Sequence, residues 1–319
     1  MHPAEPPLPS ALPLLRARDA RSAGLHPESQ AGSLRVRNGV YIARDLWDGL
    51  AEWDRYVVRV HAFGGSRPGA VFSHESAAAL WNLPIFGHPR QIHLFDGRRS
   101  RSLRYGDVTV HTSADKRDVA RRGELLVTTV ADTVLDLARC LPPAFALAVA
   151  DAAIRFRPAD VSLSVLREVV ASQRNPRGRR RAEWVIDHAD AASESVGESV
   201  SRAVIGWCGF PPPLLQQTHI VDGRRYRSDF CWPALRVIGE SDGWAKYGAD
   251  PQEVTRALRA EKRREQDLRR AGWTVARWDF ADAVSGEGLR AALLAAGLRP
   301  ERRADTARLS SIGRNPRSR

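Results

Sequence analysis

Lysine is almost missing from this 319-residue chain: Lys116, Lys246 and Lys262 stand against 46 arginines. An amine can give up its proton near neutral pH and a guanidinium cannot. A lysine that persists in such a chain is therefore a candidate for chemistry that arginine cannot do. Cysteine is scarce as well. Cys140, Cys208 and Cys231 are odd in number and widely spaced, which excludes a disulfide framework and a cysteine-cluster zinc site. A reducing cytoplasm is the expected compartment. No apolar run approaches the roughly 20 residues that a membrane span needs, so no membrane association is expected. The first ten residues are Pro-rich, and Arg16 and Arg18 interrupt the short apolar run behind them, a pattern unlike a secretory signal. No internal repeat is evident.

What is present is an ordinary globular composition, 43% hydrophobic and 27% charged, long enough for two or three domains. The net charge is +12 and it is clustered. Residues 174–182 hold five arginines and no acid; residues 256–270 hold seven basic groups against three acids; residues 299–319 hold seven arginines against Glu301 and Asp305. Clustered positive charge suits a polyanion such as a nucleic-acid backbone; a basic linker and a basic tail without a dedicated ligand is the other reading.

Residues 1–10 read as a disordered lead. In 11–66, a short helical stretch over 14–25 precedes Val36-Arg37-Asn38-Gly39-Val40-Tyr41-Ile42, in which an Asn-Gly turn between β-formers signals a hairpin. A helix followed by a small hairpin suggests a reduced winged helix, with Arg35 and Arg37 either tracking phosphates or simply solvated. Residues 67–156 read as an α+β middle domain: a helix over 75–81 capped by Ser73, strands at 91–95, 108–111 and 125–128, a helix opened by Thr129 or Asp132 and reaching Arg139, and a helix over 142–154. His74, His93 and His111 lack metal-ligand spacing there and read as surface or core histidines. Residues 157–183 comprise an amphipathic helix and the Arg-rich linker, 184–298 form a further domain, and the Arg- and Ser-rich 299–319 should be a disordered tail.

The informative stretch is 184–280. A helix over 184–207 carries Val196, Val200, Val204 and Trp207 on its apolar side and Glu194, Glu198 and Arg202 on another; the latter are either a solvated face with one ion pair or part of a site. Strands over 214–221 and 224–232 flank an Asp222-Gly223 turn, and a strand over 236–242 follows. Alternation places Arg225, Arg227, Asp229 and Cys231 on one face of their strand and Ile238, Glu240 and Asp242 on one face of theirs. Pairing of the two strands would gather Asp229, Glu240 and Asp242. Such carboxylates repel unless protons or a cation intervene, and Mg²⁺, or Mn²⁺ in its place, suits an all-oxygen site. Lys246, just beyond, is placed to steady a nucleophile or a phosphate. A helix from Pro251 interrupts its apolar stripe with Glu261 and Glu265, which is costly unless they are paired. Lys262, Arg263 and Arg264 on that helix suit phosphate contacts. A final strand over 273–278 completes a mixed sheet.

In order, Glu198-Ser-Val-Ser-Arg202, Gly209-Phe-Pro-Pro-Pro, Arg227-Ser-Asp229-Phe, Gly239-Glu-Ser-Asp-Gly243, Lys246-Tyr247, Glu261-Lys-Arg-Arg-Glu265 and Gly272-Trp-Thr-Val-Ala-Arg-Trp278 resemble the very-short-patch-repair-endonuclease-like domains of the P-D-(D/E)-x-K superfamily, over about 100 residues. The resemblance implies a restriction-endonuclease-like mixed sheet flanked by helices. It makes Asp229 and Glu240 metal ligands with Asp242 beside them, Glu198 the helix glutamate that completes such sites, and Lys246 a substitute for the lysine of the third motif position, which is Asp242 here. Arg37-Asn-Gly-Val-Tyr41, Ser73-His-Glu-Ser-Ala-Ala78 and Val127-Thr-Thr-Val-Ala-Asp-Thr-Val-Leu-Asp136 more loosely resemble the AbiEi-type antitoxin winged helix and its following domain.

The expected fold is thus multidomain α/β and α+β. The expected function is Mg²⁺-dependent hydrolysis of DNA phosphodiester bonds. The alternative is a non-catalytic, DNA-binding regulator of AbiEi type with a degenerate nuclease domain and a toxin protein as partner.

Overall fold

A computed structural model describes residues 13–242 and 251–315, with side chains of the helix that opens at Pro251 described from 259 onward. The fold is mixed α/β and multidomain, with three separate sheets and helices between them. The chain forms two compact units: 1–141 with 157–183 and 315–319, and 142–156 with 184–314. The first unit thus holds both the segment expected as a winged helix and most of the expected middle domain. The expected lead over 1–10 lies outside the described residues.

In the first unit, β1 (Leu15–Arg16) leads into α1 (Ala17–Ser22), where a single helical stretch was expected. The hairpin of β2 (Ser33–Arg37) and β3 (Val40–Ala43) turns at Asn38–Gly39, with Gly39 at φ +73°, and β1 adds to it in the order β1-β3-β2. Helices α2 (Arg44–Asp48) and α3 (Glu52–Ser66) follow. A six-stranded sheet then runs β6-β7-β5-β4-β9-β8, built from β4 (Val71–Phe72), β5 (Ile92–Phe95), β6 (Leu103–Tyr105), β7 (Val108–His111), β8 (Val119–Arg122) and β9 (Leu125–Thr128). It carries α4 (His74–Trp81) and α5 (Val130–Cys140). Thr129 caps α5 by accepting from Asp132 N–H, whereas Ser73 precedes α4 without a capping bond and pairs with His74 Nδ1 instead.

Helix α6 (Pro143–Phe156) belongs to the second unit and α7 (Leu163–Ser172) to the first. The Arg-rich segment behind α7 is anchored, not a free linker. Asp115 accepts from the backbone N–H groups of Arg174 and Asn175, and Arg139 donates to the carbonyls of Asn175 and Arg177. Helix α8 (Arg179–His188) carries the chain into the second unit.

The expected continuous helix over 184–207 is broken. Helix α9 spans Val196–Trp207, and Ser195 caps it by accepting from Glu198 N–H. The break is held by Asp151 of α6. This aspartate is 1% exposed, accepts from Asp190 N–H at 2.8 Å and is paired with Arg202 of α9 at 2.7 Å. One buried carboxylate thereby fixes α6, the 189–195 loop and the start of α9.

The sheet of this unit runs β10-β11-β12-β13, from β10 (Leu214–Val221), β11 (Arg224–Trp232), β12 (Val237–Ser241) and β13 (Thr274–Trp278). The first two pairings are antiparallel and the last is parallel. Phe230, Gly239 and Trp278 pack closely: a Cβ on Gly239 would lie 2.6 Å from the Trp278 ring. Trp278 also donates to Ser201 of α9. Helix α10 (Pro251–Arg270) packs Leu268 with Ile238 and Val221. Helices α11 (Phe280–Ser285), α12 (Glu287–Ala295) and α13 (Thr306–Ser311) complete the unit.

Residues 299–315 are not the disordered tail expected from composition. Glu301 and Asp305 N–H bond the carbonyls of Gly209 and Trp207, and Ile312 is 2% exposed. Long-range backbone bonds and one well-placed aliphatic side chain outweigh the arginine-rich composition. Residues 316–319 lie outside the described residues.

Replacing Arg202 by Met leaves Asp151 buried without its partner, and should destabilise the protein by about 3 kcal/mol or more. Urea unfolding checks this, and the double variant with Asp151→Asn should recover most of the loss.

Candidate active site in the second unit

The backbone register assembles the site. Phe230 faces Gly239, so Asp229 and Glu240 are neighbours one step further along β11 and β12. On the far side of Asp229, Gln216 occupies the matching position of β10 between the pairs Leu215–Phe230 and Gln217–Ser228. Beyond Glu240 stands Arg277 of β13. Gln216, Asp229, Glu240 and Arg277 thus form one row across four strands. Gln216 has φ +51°, in the left-handed region that costs a non-glycine residue about 1–2 kcal/mol. Its side-chain amide donates to Glu198 Oε2 at 2.7 Å.

One carboxylate of the pair is shielded from water and the other partly so. Glu240 is 6% exposed and Asp229 is half-buried. Burial pushes the Asp229 carboxyl up to about 6, with the charge of Glu198 adding to the rise and the N–H of Ser241 opposing it. That N–H donates to Asp229 Oδ2 at 2.9 Å. Burial pushes Glu240 up to about 7, against the pull of Arg264 and with a further push from Asp229. The Arg264 guanidinium donates to Glu240 Oε1 at 2.5 Å and to the carbonyl of Arg227 at 2.6 Å.

Glu198 is buried at the start of α9, where its Oε2 accepts from Glu194 N–H as well as from Gln216. It therefore reaches the neighbourhood of Asp229 while serving its own helix terminus. Asp242 departs from the expected set. It lies past the end of β12, its side chain is 50% exposed, and it pairs with Arg277 at 3.5 Å. Burial pushes its carboxyl up, with Arg277 opposing and the charges of Glu261 and Asp279 adding to the rise. Lys246 lies outside the described residues.

The two glutamates that interrupt the stripe of α10 are neutralised. Glu261 pairs with Arg264 and Arg277, and Glu265 with Arg269 and Arg277. Lys262 and Arg263 are exposed, whereas Arg264 turns inward. In the first unit Arg35 is exposed, but Arg37 is not available to a phosphate. It bonds Asp107 at 2.7 Å and lies over the Phe63 ring.

The sequence did not foretell that His74, His93 and His111 meet in the first unit. The His74 and His111 rings stack at 3.9 Å, His93 Nδ1 lies 2.9 Å from His111 Nε2, and His93 Nε2 is 3.4 Å from Glu75. The parallel pairing of β5 with β7 brings two of them together, a long-range register that residue spacing cannot show.

Among the described residues, no group of three or more His, Cys, Asp or Glu is arranged to hold a metal ion. The Asp229–Glu240 pair offers two hard oxygen donors. Mg²⁺ commonly takes one or two carboxylates and completes its shell with water, so this donor set fits such an ion with two protein ligands. No helix among the described residues is long and apolar enough to cross a membrane.

The raised acid at Asp229 fixes the sign of a pH effect. The folded protein holds this proton more tightly than the unfolded chain, so stability is lost as pH rises from the ordinary aspartate range, 3.8, to about 6, and levels off above it. Asp229→Asn removes that loss. Relative to the natural protein it should gain about 1–2 kcal/mol on going from about pH 4.5 to about pH 8. Urea unfolding at both pH values checks the gain, and an equal effect at each would refute the assignment.

No family model matches the chain, and no solved structure matches it significantly. Two curated relatives do. The uncharacterized proteins MT2308 and Rv2248, from the CDC 1551 / Oshkosh and H37Rv strains of Mycobacterium tuberculosis, are each 34% identical over 248 residues, covering 76% of this chain and 84% of theirs. At that identity and coverage the chain belongs to the same family as the Mycobacterium tuberculosis protein Rv2248.

Proposed function

We propose that the second unit is a Mg²⁺-dependent endonuclease of the very-short-patch-repair-like P-D-(D/E)-x-K type that hydrolyses DNA phosphodiester bonds. The observation that carries this reading is the meeting of Asp229 and Glu240, side by side on adjacent strands and screened from water, with Arg264 against them. Buried carboxylates without a structural need for each other are a functional arrangement, because their repulsion is otherwise a pure cost.

Asp229 and Glu240 would hold the ion. When bound, Mg²⁺ would supply water activation and charge neutralisation at the scissile phosphate. The chain's own residues have separate tasks. Ser241 N–H and Gln216 set the positions of Asp229 and Glu198. Lys262 and Arg263 face solvent on α10 and suit the nucleic-acid backbone, with Arg35 as a further candidate contact in the first unit. Glu198 orients solvent near Asp229. Lys246 is proposed as support for the nucleophile or the phosphate. Mn²⁺ would replace Mg²⁺, and the cytoplasm is the proposed compartment.

A second reading is favoured by Asp242. It stands where the superfamily has lysine, and it is committed to Arg277. In that reading the nuclease unit is degenerate and the protein is a DNA-binding regulator of AbiEi antitoxin type, with a toxin protein as partner.

Incubating purified protein with supercoiled plasmid and Mg²⁺ should give nicked or linear product. Asp229→Ala should slow this by roughly a hundredfold or more, since losing a ligand costs at least as much as losing one of its supporting partners. Equal cleavage by both proteins removes the assignment. Absence of cleavage, with a sequence-specific gel shift that survives Asp229→Ala, selects the regulator.

A further inference from the structure

We propose that Arg264 is the resident counter-ion of the acid pair: its guanidinium holds Glu240 until a divalent cation takes its place, and it then passes to a phosphate of the bound strand. The inference rests on the nuclease reading of that pair and deepens it.

Three consecutive basic residues on α10 have different fates. Lys262 and Arg263 face solvent, whereas the Arg264 side chain is 21% exposed and lies against the sheet. There it makes three contacts: Glu240 Oε1 at 2.5 Å, the Arg227 carbonyl at 2.6 Å and Glu261 at 3.4 Å. Arg277, the other guanidinium in the row, is occupied by Glu261, Asp242 and Glu265. Arg264 is thus the cation in direct contact with the pair among the described residues.

A divalent ion on Glu240 and a guanidinium on the same carboxylate repel each other, so the two compete for it. Arg264 has somewhere to go. Glu261, three residues back on its own helix, keeps it tethered, and its solvent-facing neighbours are the basic residues best placed to meet a nucleic-acid backbone. A guanidinium fork fits a phosphate in two-point geometry. Cation binding and phosphate binding are coupled through this one side chain: the ion frees Arg264, and the freed Arg264 adds a contact to the strand.

The test compares the natural protein with R264Q and R264K, each shown to be folded by circular dichroism. Mn²⁺ affinity is read from the free-ion electron paramagnetic resonance signal. Affinity for a short fluorescent duplex is read by anisotropy, with and without Ca²⁺ as a cation chosen to avoid turnover. R264Q should bind Mn²⁺ about fivefold or more tightly, the lower end of ordinary site-to-site coupling. Ca²⁺ should enhance duplex binding by the natural protein, and in R264Q this enhancement should disappear. R264K, which loses the two-acceptor grip, should shift Mn²⁺ affinity in the same direction by less, and it carries the test if R264Q does not fold. Unchanged or weaker Mn²⁺ binding in the folded variants overturns the role of Arg264 alone. Absence of Mn²⁺ binding in all three proteins overturns the acid-pair reading and this inference with it.

Discussion

Two carboxylates forced together on neighbouring strands, away from water, set the terms for the rest of the second unit. Left alone, Asp229 and Glu240 would repel each other and drive the strand ends apart, because solvent no longer screens them. Among the described residues, the side-chain hydrogen bonds of the pair go to a backbone donor and a cation. Ser241 N–H takes one oxygen of Asp229, and Arg264 takes one of Glu240. Arg277 stands next in the row. The compensation is partial, since both acids still hold their protons well above the ordinary range. A fold selected for stability alone would place a neutral pair here; under the proposed function the retained repulsion would be relieved by a bound cation.

The support reaches outward in layers, each set by the sequence in a different way. Gly239 is small because Phe230, Trp232 and Trp278 close over it, which keeps β12 tight against its neighbours and Glu240 fixed in register. The left-handed backbone at Gln216 aims an amide at Glu198. Glu198 is held in turn by the start of α9, whose position depends on Asp151 and Arg202 some distance from the pair. The site is therefore built on strand and helix ends whose geometry is over-determined, the condition under which strain persists.

Much of this was legible in the sequence because it is local. The Asp222–Gly223 turn marks both strands of its hairpin at 214–221 and 224–232, and period-two alternation puts Asp229 on one face of its strand and Glu240 and Asp242 on one face of theirs; the register, with Phe230 facing Gly239, then makes Asp229 and Glu240 the neighbours. Most of what escaped was decided at long range. Ser195, three residues before Glu198, is a local start signal for α9 that the continuous-helix reading passed over; the loop before it is held at long range by Asp151, about 40 residues earlier, which captures Asp190 N–H. Helical spacing cannot say which of Lys262, Arg263 and Arg264 turns inward. The order at 299–315 depends on carbonyls of Trp207 and Gly209 that no local pattern reveals. Arg37 was misjudged for the same reason, since Asp107 lies 70 residues away.

The scarcity of lysine has a structural consequence here. Among the described residues the counter-ions are mostly guanidinium groups, and several of them bridge acceptors that an ammonium would serve only as a point charge. Arg139 ties together the carbonyls of Asn175 and Arg177, Arg202 joins Asp151 to the His188 carbonyl, and Arg264 joins Glu240 to the backbone of β11. Arginines used in this way act as cross-links between elements as much as charges. The same property makes Arg264 a poor proton carrier and a good exchangeable clamp: it stays charged at every relevant pH, so only another cation or another anion can move it. In the proposed reading, competition between cations would gate the acid pair.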